Sequence, residues 1–533
     1  MSLTLLCYLL LVAACGGGHA AKAAGRAGKL RTYKNNRIAE YRPEPVLEPD
    51  ASDPNLNYDF YTPGLGALAS TCVASAPKLT PNVPSVRVYV GADAHRVDLS
   101  WRSLPAAAEQ LIQSGFNTSL PTNLYVHGWL QDKDTVWLKN LRAQYNVSSQ
   151  SNWPPQSNGI RRRFNLLILD WSQVSSLPYA ESIRYVPNIG LRLGKFLSTL
   201  KQRFGYDCAQ RVHLVGFSLG AHIVGIAARE LNATGDAVRH ITALDPAGPC
   251  FTSDTEFARN YALRADAAKT VTVRHYSFGS LGSKGAMGDI DIYVNGGIKQ
   301  PQSNISRLYW LIPGGPEHVG AVRHENQISN NSAGCHSVAY GCDSYANFTD
   351  GLCADCNATG CYNIDLFADN NGSVAGGPLL GAHQRNAKPM FIKTGYDQQC
   401  LFHYQLVAQL KPRVPANVAS ALRAGRVAFE AGPEAAAAAL RRETTCSDGE
   451  LAYSALLTTT RDLSDLSEIK FSYAGSGAKL VKSKDFAVVR LNFMSHMDAQ
   501  VRRSKSLAFC PSADGKQDDT LKLCSSPLTG RTC

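Results

Sequence analysis

The chain of 533 residues is 44% apolar and only 18% charged, so it can fill the cores of roughly two to four domains and is not disordered. Lys and Arg number 54 against 43 Asp and Glu, a formal charge of +11. That mild excess excludes the dense basic stripes of nucleic-acid binders, and no internal stretch reaches the roughly 18 apolar residues of a membrane span.

The longest apolar run, Leu3 to Cys15, is followed by Gly16–Gly18 and small residues from Ala20 to Ala24. Residues 1–20 therefore read as a secretory signal peptide, although the first residues lack the usual positive charge. Residues 21–54 are charged and Pro-rich (Arg42-Pro-Glu-Pro45) and read as a linker or pro-segment. Of the 15 cysteines, Cys7 and Cys15 leave with the leader, and the odd remainder requires an unpaired thiol or an interchain bridge. In an exported chain, Cys353, Cys356 and Cys361 fit disulfides better than zinc. Eight glycosylation sequons, from Asn117 to Asn371, all precede residue 372, which sets the C-terminal third apart.

From residue 55 to 395, apolar runs alternate with helical stretches. Ser85–Val90, Thr122–Val126, Phe164–Leu169, Arg211–Val215 and His240–Leu244 read as strands, nearly continuous in apolar residues and so suited to a buried, mostly parallel sheet. Tyr185–Phe204 and Ala221–Leu231 are spaced as helices. The alternation defines an α/β sandwich. From 396 to 533, strand-like runs (Phe402–Leu410, Leu451–Leu457, Glu468–Tyr473, Ala487–Phe493) describe a β-sandwich. Pro433–Arg442, with its initial proline and alanine run, predicts a short helix inserted there.

The chemistry centres on Gly216-Phe-Ser218-Leu-Gly220. A G-x-S-x-G pattern is weak alone, but here a strand enters it and a helix leaves it, the context of a nucleophile elbow. A serine hydroxyl needs a base and a group to orient that base, in the chain order Ser, Asp, His for such a fold. Asp245 ends the next strand, held by Pro246, and fits the orienting carboxylate; Asp170 precedes the serine and reads as structural. An oxyanion hole needs two convergent amides. Leu219 supplies one, and Trp129, leaving a strand through Val126-His-Gly128, supplies the other, with His127 structural.

Gly216–His222, Ala243–Phe251, Tyr125–Trp129, Leu169–Trp171 and Asp291–Gly297 with Gln300-Pro301 together resemble the pancreatic lipase family, in the family's order. The resemblance implies a secreted α/β-hydrolase that hydrolyses carboxylic esters of lipids (phospholipid sn-1 or acylglycerol) at a membrane or droplet surface. It places the catalytic histidine at His318, in Pro316-Glu-His-Val-Gly-Ala321, without the family's neighbouring cysteine and arginine; His324 and His336 are the alternatives. His275 resembles a structural strand-end histidine. The lid implied between Asn304 and Gly315 carries Leu308, Tyr309, Trp310, Leu311 and Ile312, and its shortness resembles the phospholipase A1 branch.

The resemblance also implies a calcium loop, but only Glu256 and Arg259 match, with Arg264 and Ala267 in later carboxylate positions and Asp266 off register, a poor site for a hard cation; the expectation is no cofactor, with calcium as the alternative. Through Tyr453–Leu457, Asp462–Phe471 and Ser506–Cys510 the C-terminal sandwich resembles a PLAT domain, which implies docking to a lipid surface or a protein cofactor. Implied bridges are Cys342–Cys353, Cys356–Cys361, and Cys510 with Cys524 or Cys533. The rival to an enzyme is a catalytically silent lipid-binding or yolk-storage protein on the same fold.

Overall fold

A computed structural model describes residues 77–79, 85–150, 164–301, 315–329, 337–364, 388–395 and 400–523, apart from shorter breaks inside these ranges. Its first sheet has eleven strands: β1 (Val86–Val90), β2 (His95–Leu99), β3 (Thr122–Val126), β4 (Asn165–Asp170), β5 (Val212–Phe217), β6 (His240–Leu244), β7 (Thr270–His275), β8 (Ile290–Val294), β9 (Val338–Gly341), β10 (Cys361–Asn363) and β11 (Met390–Ile392). Their order is β10-β9-β11-β8-β7-β6-β5-β3-β4-β1-β2. From β4 to β11 every neighbouring pair is parallel; the strands beyond are antiparallel. This is the α/β architecture that the alternating pattern predicts, in the α/β-hydrolase form that the resemblance implies. The central strands are buried along their whole length, as continuous apolar runs between two helical layers require.

Two long helices cover one face. α1 (Tyr179–Phe204) begins six residues earlier than its spacing predicts, and ends on Gly205 in the left-handed conformation (φ 64°). α2 (Leu219–Asn232) starts on the residue after Ser218 and is buried along most of its length, with Ile223, Val224, Ala227 and Leu231 fully enclosed. On the other side lies α3 (Gly315–Ser329), which carries His318 and packs Ala321, Val322 and Ile328 into a second core cluster.

A separate antiparallel sheet follows: β12 (Phe402–Leu410), β13 (Val427–Glu430), β14 (Ala438–Ala439), β15 (Arg442–Thr445), β16 (Leu451–Thr459), β17 (Glu468–Tyr473), β18 (Phe486–Phe493), β19 (Ser506–Pro511) and β20 (Thr520–Leu523). The predicted Pro433–Arg442 helix is corrected at its described end. Ala438 and Ala439 pair with Phe429 and Ala428, and Arg442 opens a strand against Ser454. Cross-strand pairing there overrides the helix preference of alanine. This β domain has its own core of Leu406, Phe429, Tyr453, Phe486 and Phe509. It meets the first domain where Gln405 Nε2 and Ser454 Oγ donate to Gly351 O and Asp350 O, each at 2.8 Å.

Cys342–Cys353 and Cys356–Cys361 are disulfides, as the resemblance implies. Cys510 is also bonded, and both of its implied partners lie outside the described residues, as do the expected leader and 21–54 segment. Cys208 is not in a disulfide; its buried Sγ donates to Leu197 O at 3.2 Å. Among the described residues no helix is long and apolar enough to cross a membrane.

Candidate active site

Three neighbouring parallel strands end side by side, and each delivers part of the site. Ser218 follows β5, Asp245 follows β6, and Tyr276–Ser277 follow β7. The carboxyl edge of such a sheet is where backbone groups diverge and leave room for a ligand. Ser218 is held at φ 57° and ψ −121°, a conformation that a non-glycine residue adopts only when its surroundings impose it. They do so here by close packing. A Cβ on Gly216 would lie 2.4 Å from Gly220 O, and one on Gly220 would lie 2.3 Å from Val126 O. The Ser218 amide donates to Leu244 O at 3.1 Å and ties the turn to β6.

Asp245 is fully buried and also has positive φ, at 43°. Its carboxylate is surrounded by donors: Oδ1 accepts from the Tyr276 and Ser277 amides at 2.8 and 3.2 Å, and Oδ2 from the Ser277 hydroxyl at 2.5 Å. The same Oδ2 lies 2.7 Å from His318 Nδ1. A carboxylate takes that contact from an Nδ1–H, which leaves Nε2 as the ring nitrogen able to accept a proton. The His318 ring also lies 4.7 Å, centroid to centroid, from Phe217, the residue immediately before Ser218.

The two predicted oxyanion amides belong to adjoining turns. A Cβ on Gly128 would stand 2.9 Å from Ser218 Cβ, so the Val126–Trp129 turn lies against the serine. Around Trp129, the Gly128 amide donates to Gln131 Oε1, the Leu130 amide to Ser175 O, and the Trp129 indole to Leu177 O. Among the described residues neither the Trp129 nor the Leu219 amide has an acceptor within the chain. Leu219 opens α2, so its amide also carries the positive end of the helix dipole.

The other histidines divide clearly. His324 is fully buried with Nδ1 2.5 Å from Tyr276 OH, and burial, then the charge of Arg274, pushes its pKa down to about 3. It is a neutral structural group rather than a base beside Asp245. His275 Nε2 meets Asp291 Oδ1 at 2.7 Å and its ring stacks on Tyr293. His127 lies 3.2 Å from Asp170, and its ring stacks on Trp171. His222 stacks on Phe251 and bridges Ala247 O and the Leu263 amide, bracing the loop after Asp245. His336 and the predicted lid residues Leu308–Ile312 lie outside the described residues.

Ser277 escaped the sequence reading. Its hydroxyl donates to Asp245 and accepts from the Gly282 amide at 2.9 Å. Strand register was the available signal: Leu244 pairs with Arg274, so the residues just past His275 must flank Asp245.

The loop where the resemblance implies calcium is occupied by guanidinium groups. Arg264 pairs with Asp266 through two contacts of 3.1 and 3.0 Å, and its Nη1 donates to Arg259 O at 2.8 Å. Arg229 donates to Ala262 O and Asn260 O, both at 3.0 Å. The Arg259 carbonyl already serves a guanidinium, and arginine and alanine stand where the resemblance puts carboxylates, so the loop does not fit calcium. Among the described residues, no group of three or more His, Cys, Asp and Glu is assembled for a metal.

A strained serine between strand and helix, at the carboxyl edge of a mostly parallel sheet and beside a His–Asp pair, defines the class as an α/β-hydrolase. The profile of the Lipase family matches residues 78–376, and the chain belongs to that family, the pancreatic lipase family. It is similar to the lipoprotein lipases of Homo sapiens and Bos taurus, each 30% identical over 320 residues, or 57% of this chain. It is similar to that of Gallus gallus at the same identity. The aligned region spans about three fifths of these relatives, 61% of the human protein and 59% of the chicken protein.

Proposed function

We propose that the chain is a secreted hydrolase of lipid carboxylic esters, with Ser218 as nucleophile, His318 as general base and acid, and Asp245 as the orienting carboxylate. The observation that carries it is the 2.7 Å contact between His318 Nδ1 and a buried Asp245 at the strand edge that also presents Ser218. Ser218 Oγ attacks the ester carbonyl as its proton passes to His318 Nε2, and Asp245 stabilises the resulting imidazolium. The Leu219 and Trp129 amides receive the oxyanion; losing one such donor typically lowers turnover by ~10²–10³. Collapse expels the alcohol with the proton from His318 and leaves an acyl-serine. Water then repeats the sequence and releases the fatty acid.

The substrates are phospholipid sn-1 esters or acylglycerols at a membrane or droplet surface. The short segment between Asn304 and Gly315 favours a polar headgroup, and the C-terminal β domain is the candidate contact for the lipid surface or a protein cofactor. Fatty-acid release from vesicles of phosphatidylcholine, galactolipid or triglyceride emulsion tests this directly. Release from at least one of them, abolished by Ser218→Ala, is expected. No release from any would leave the catalytically silent lipid-binding protein as the better account.

A further inference from the structure

No cysteine lies between Cys250 and Cys335, so α3, which carries His318, is held on the sheet by non-covalent contacts alone. Two of these contacts are buried and polar, and both run to the same short stretch of chain. Arg274 Nη1 meets Glu325 Oε2 at 2.8 Å with both side chains almost wholly enclosed, and Arg274 Nη2 donates to Ile364 O. Tyr276 OH lies 2.5 Å from His324 Nδ1. Glu325 stands seven residues, two helical turns, after His318, and so falls on the same side of α3.

Residues 274–277 also hold the acid. The Asp245 amide donates to Arg274 O at 2.8 Å, and the Tyr276 and Ser277 amides and the Ser277 hydroxyl all donate to its carboxylate. Gln300 Nε2 in turn donates to Tyr276 O at 3.0 Å. One four-residue strip therefore grips Asp245 with its backbone and the His318 helix with its side chains. Burial alone would disfavour the Arg274 charge, but Glu325 and the Tyr276 and Tyr362 hydroxyls more than offset it and raise its pKa. A buried pair can often be exchanged for apolar residues without loss of stability, so stability alone gives little reason for a buried Arg and Glu here.

We infer that the Arg274–Glu325 ion pair, together with the Tyr276–His324 bond, is a positioning device that sets the rotation and depth of α3 so that His318 meets Asp245. Arg274, Glu325 and Tyr276 act through other residues and touch no substrate. The inference rests on the Ser218–His318–Asp245 assignment and names what keeps its two halves in register.

The test uses the full-length protein carrying Arg274→Met and Glu325→Leu together, and separately Tyr276→Phe. Turnover of a soluble short-chain ester is counted per serine titrated with a fluorophosphonate, so misfolded molecules drop out. Because a misplacement of the order of 1 Å can cost ~10²-fold, the double variant is expected to lose roughly 10–100-fold in kcat with KM nearly unchanged. The rate of serine phosphonylation should fall in step, and Tyr276→Phe should lose several-fold in kcat in the same pattern. A merely structural pair would lower the melting temperature and leave kcat per titrated serine intact; that result in the folded variants overturns the positioning role. If the double variant does not fold, Tyr276→Phe decides alone. A wild-type protein that fails to react with the fluorophosphonate overturns the catalytic assignment itself, a different outcome from a labelled wild type with unaffected variants.

Discussion

Replacing Ser277 by alanine removes one oxygen from a crowded site. Asp245 Oδ2 loses its shortest donor, at 2.5 Å, and the Gly282 amide loses one of two acceptors, the hydroxyl at 2.9 Å, keeping the Ser277 carbonyl at 3.1 Å. Hydrogen bonds to charged groups are worth about 1.5–3 kcal/mol, and this one is fully buried. If the whole amount were felt only in the transition state, the loss would approach ~100-fold at about 1.4 kcal/mol per decade. Asp245 keeps the Tyr276 and Ser277 amides on Oδ1 and His318 on Oδ2. The expected loss is therefore nearer to ~10-fold in kcat, with KM little changed, because the lost bond serves the imidazolium that forms during reaction rather than substrate binding. The assay is steady-state hydrolysis of a soluble p-nitrophenyl ester, normalised to titrated serine. A kcat within about two-fold of wild type, or a loss confined to KM, would refute the role given to Ser277.

Acid should destabilise the α/β domain through its buried histidines. Burial foremost pushes His222, His240 and His324 down to about 3. Between that value and the unfolded ~6.5, the unfolded chain binds protons that the folded one refuses, so stability is full above pH ~6.5 and falls as pH drops. Near pH 5 the three together give on the order of 4 kcal/mol per pH unit, read as a falling urea midpoint; a flat midpoint from pH 7 to 5 would contradict it. Gly220→Ala should abolish the titratable serine, since the new Cβ would lie 2.3 Å from Val126 O and 2.7 Å from His127 O, both backbone atoms. A wild-type titre in that variant would overturn the packing account of the elbow. Removing calcium with a chelator should leave the melting temperature unchanged, because Arg264 and Arg229 already hold the Arg259, Asn260 and Ala262 carbonyls. A drop of several degrees, restored by calcium, would show a bound cation stabilising the fold.

The parts of the site that could be read from sequence are those carried by short local patterns. Ser218 lies between a strand and a helix that both have clear periodicity, Asp245 ends an apolar strand, and both sit at sheet edges where parallel strands deliver functional groups. His318 could be named only by resemblance, because α3 has no strong apolar pattern. Ser277, Tyr276 and the Arg274–Glu325 pair were illegible for a different reason: their partners are distant in sequence and depend on the Leu244–Arg274 register and on which face of α3 meets the sheet. The alanine run at 435–439 misled because its local preference is helical, while its described residues, Ala438 and Ala439, complete a strand against Ala428 and Phe429.

The most direct measurement of the central claim is mass-spectrometric mapping of a fluorophosphonate adduct on the native protein. A single adduct on Ser218, formed quickly in wild type, absent in Ser218→Ala and slowed by ~10³-fold or more in His318→Ala, is the expected result. No adduct on Ser218, or an adduct whose rate ignores the loss of His318, would contradict it.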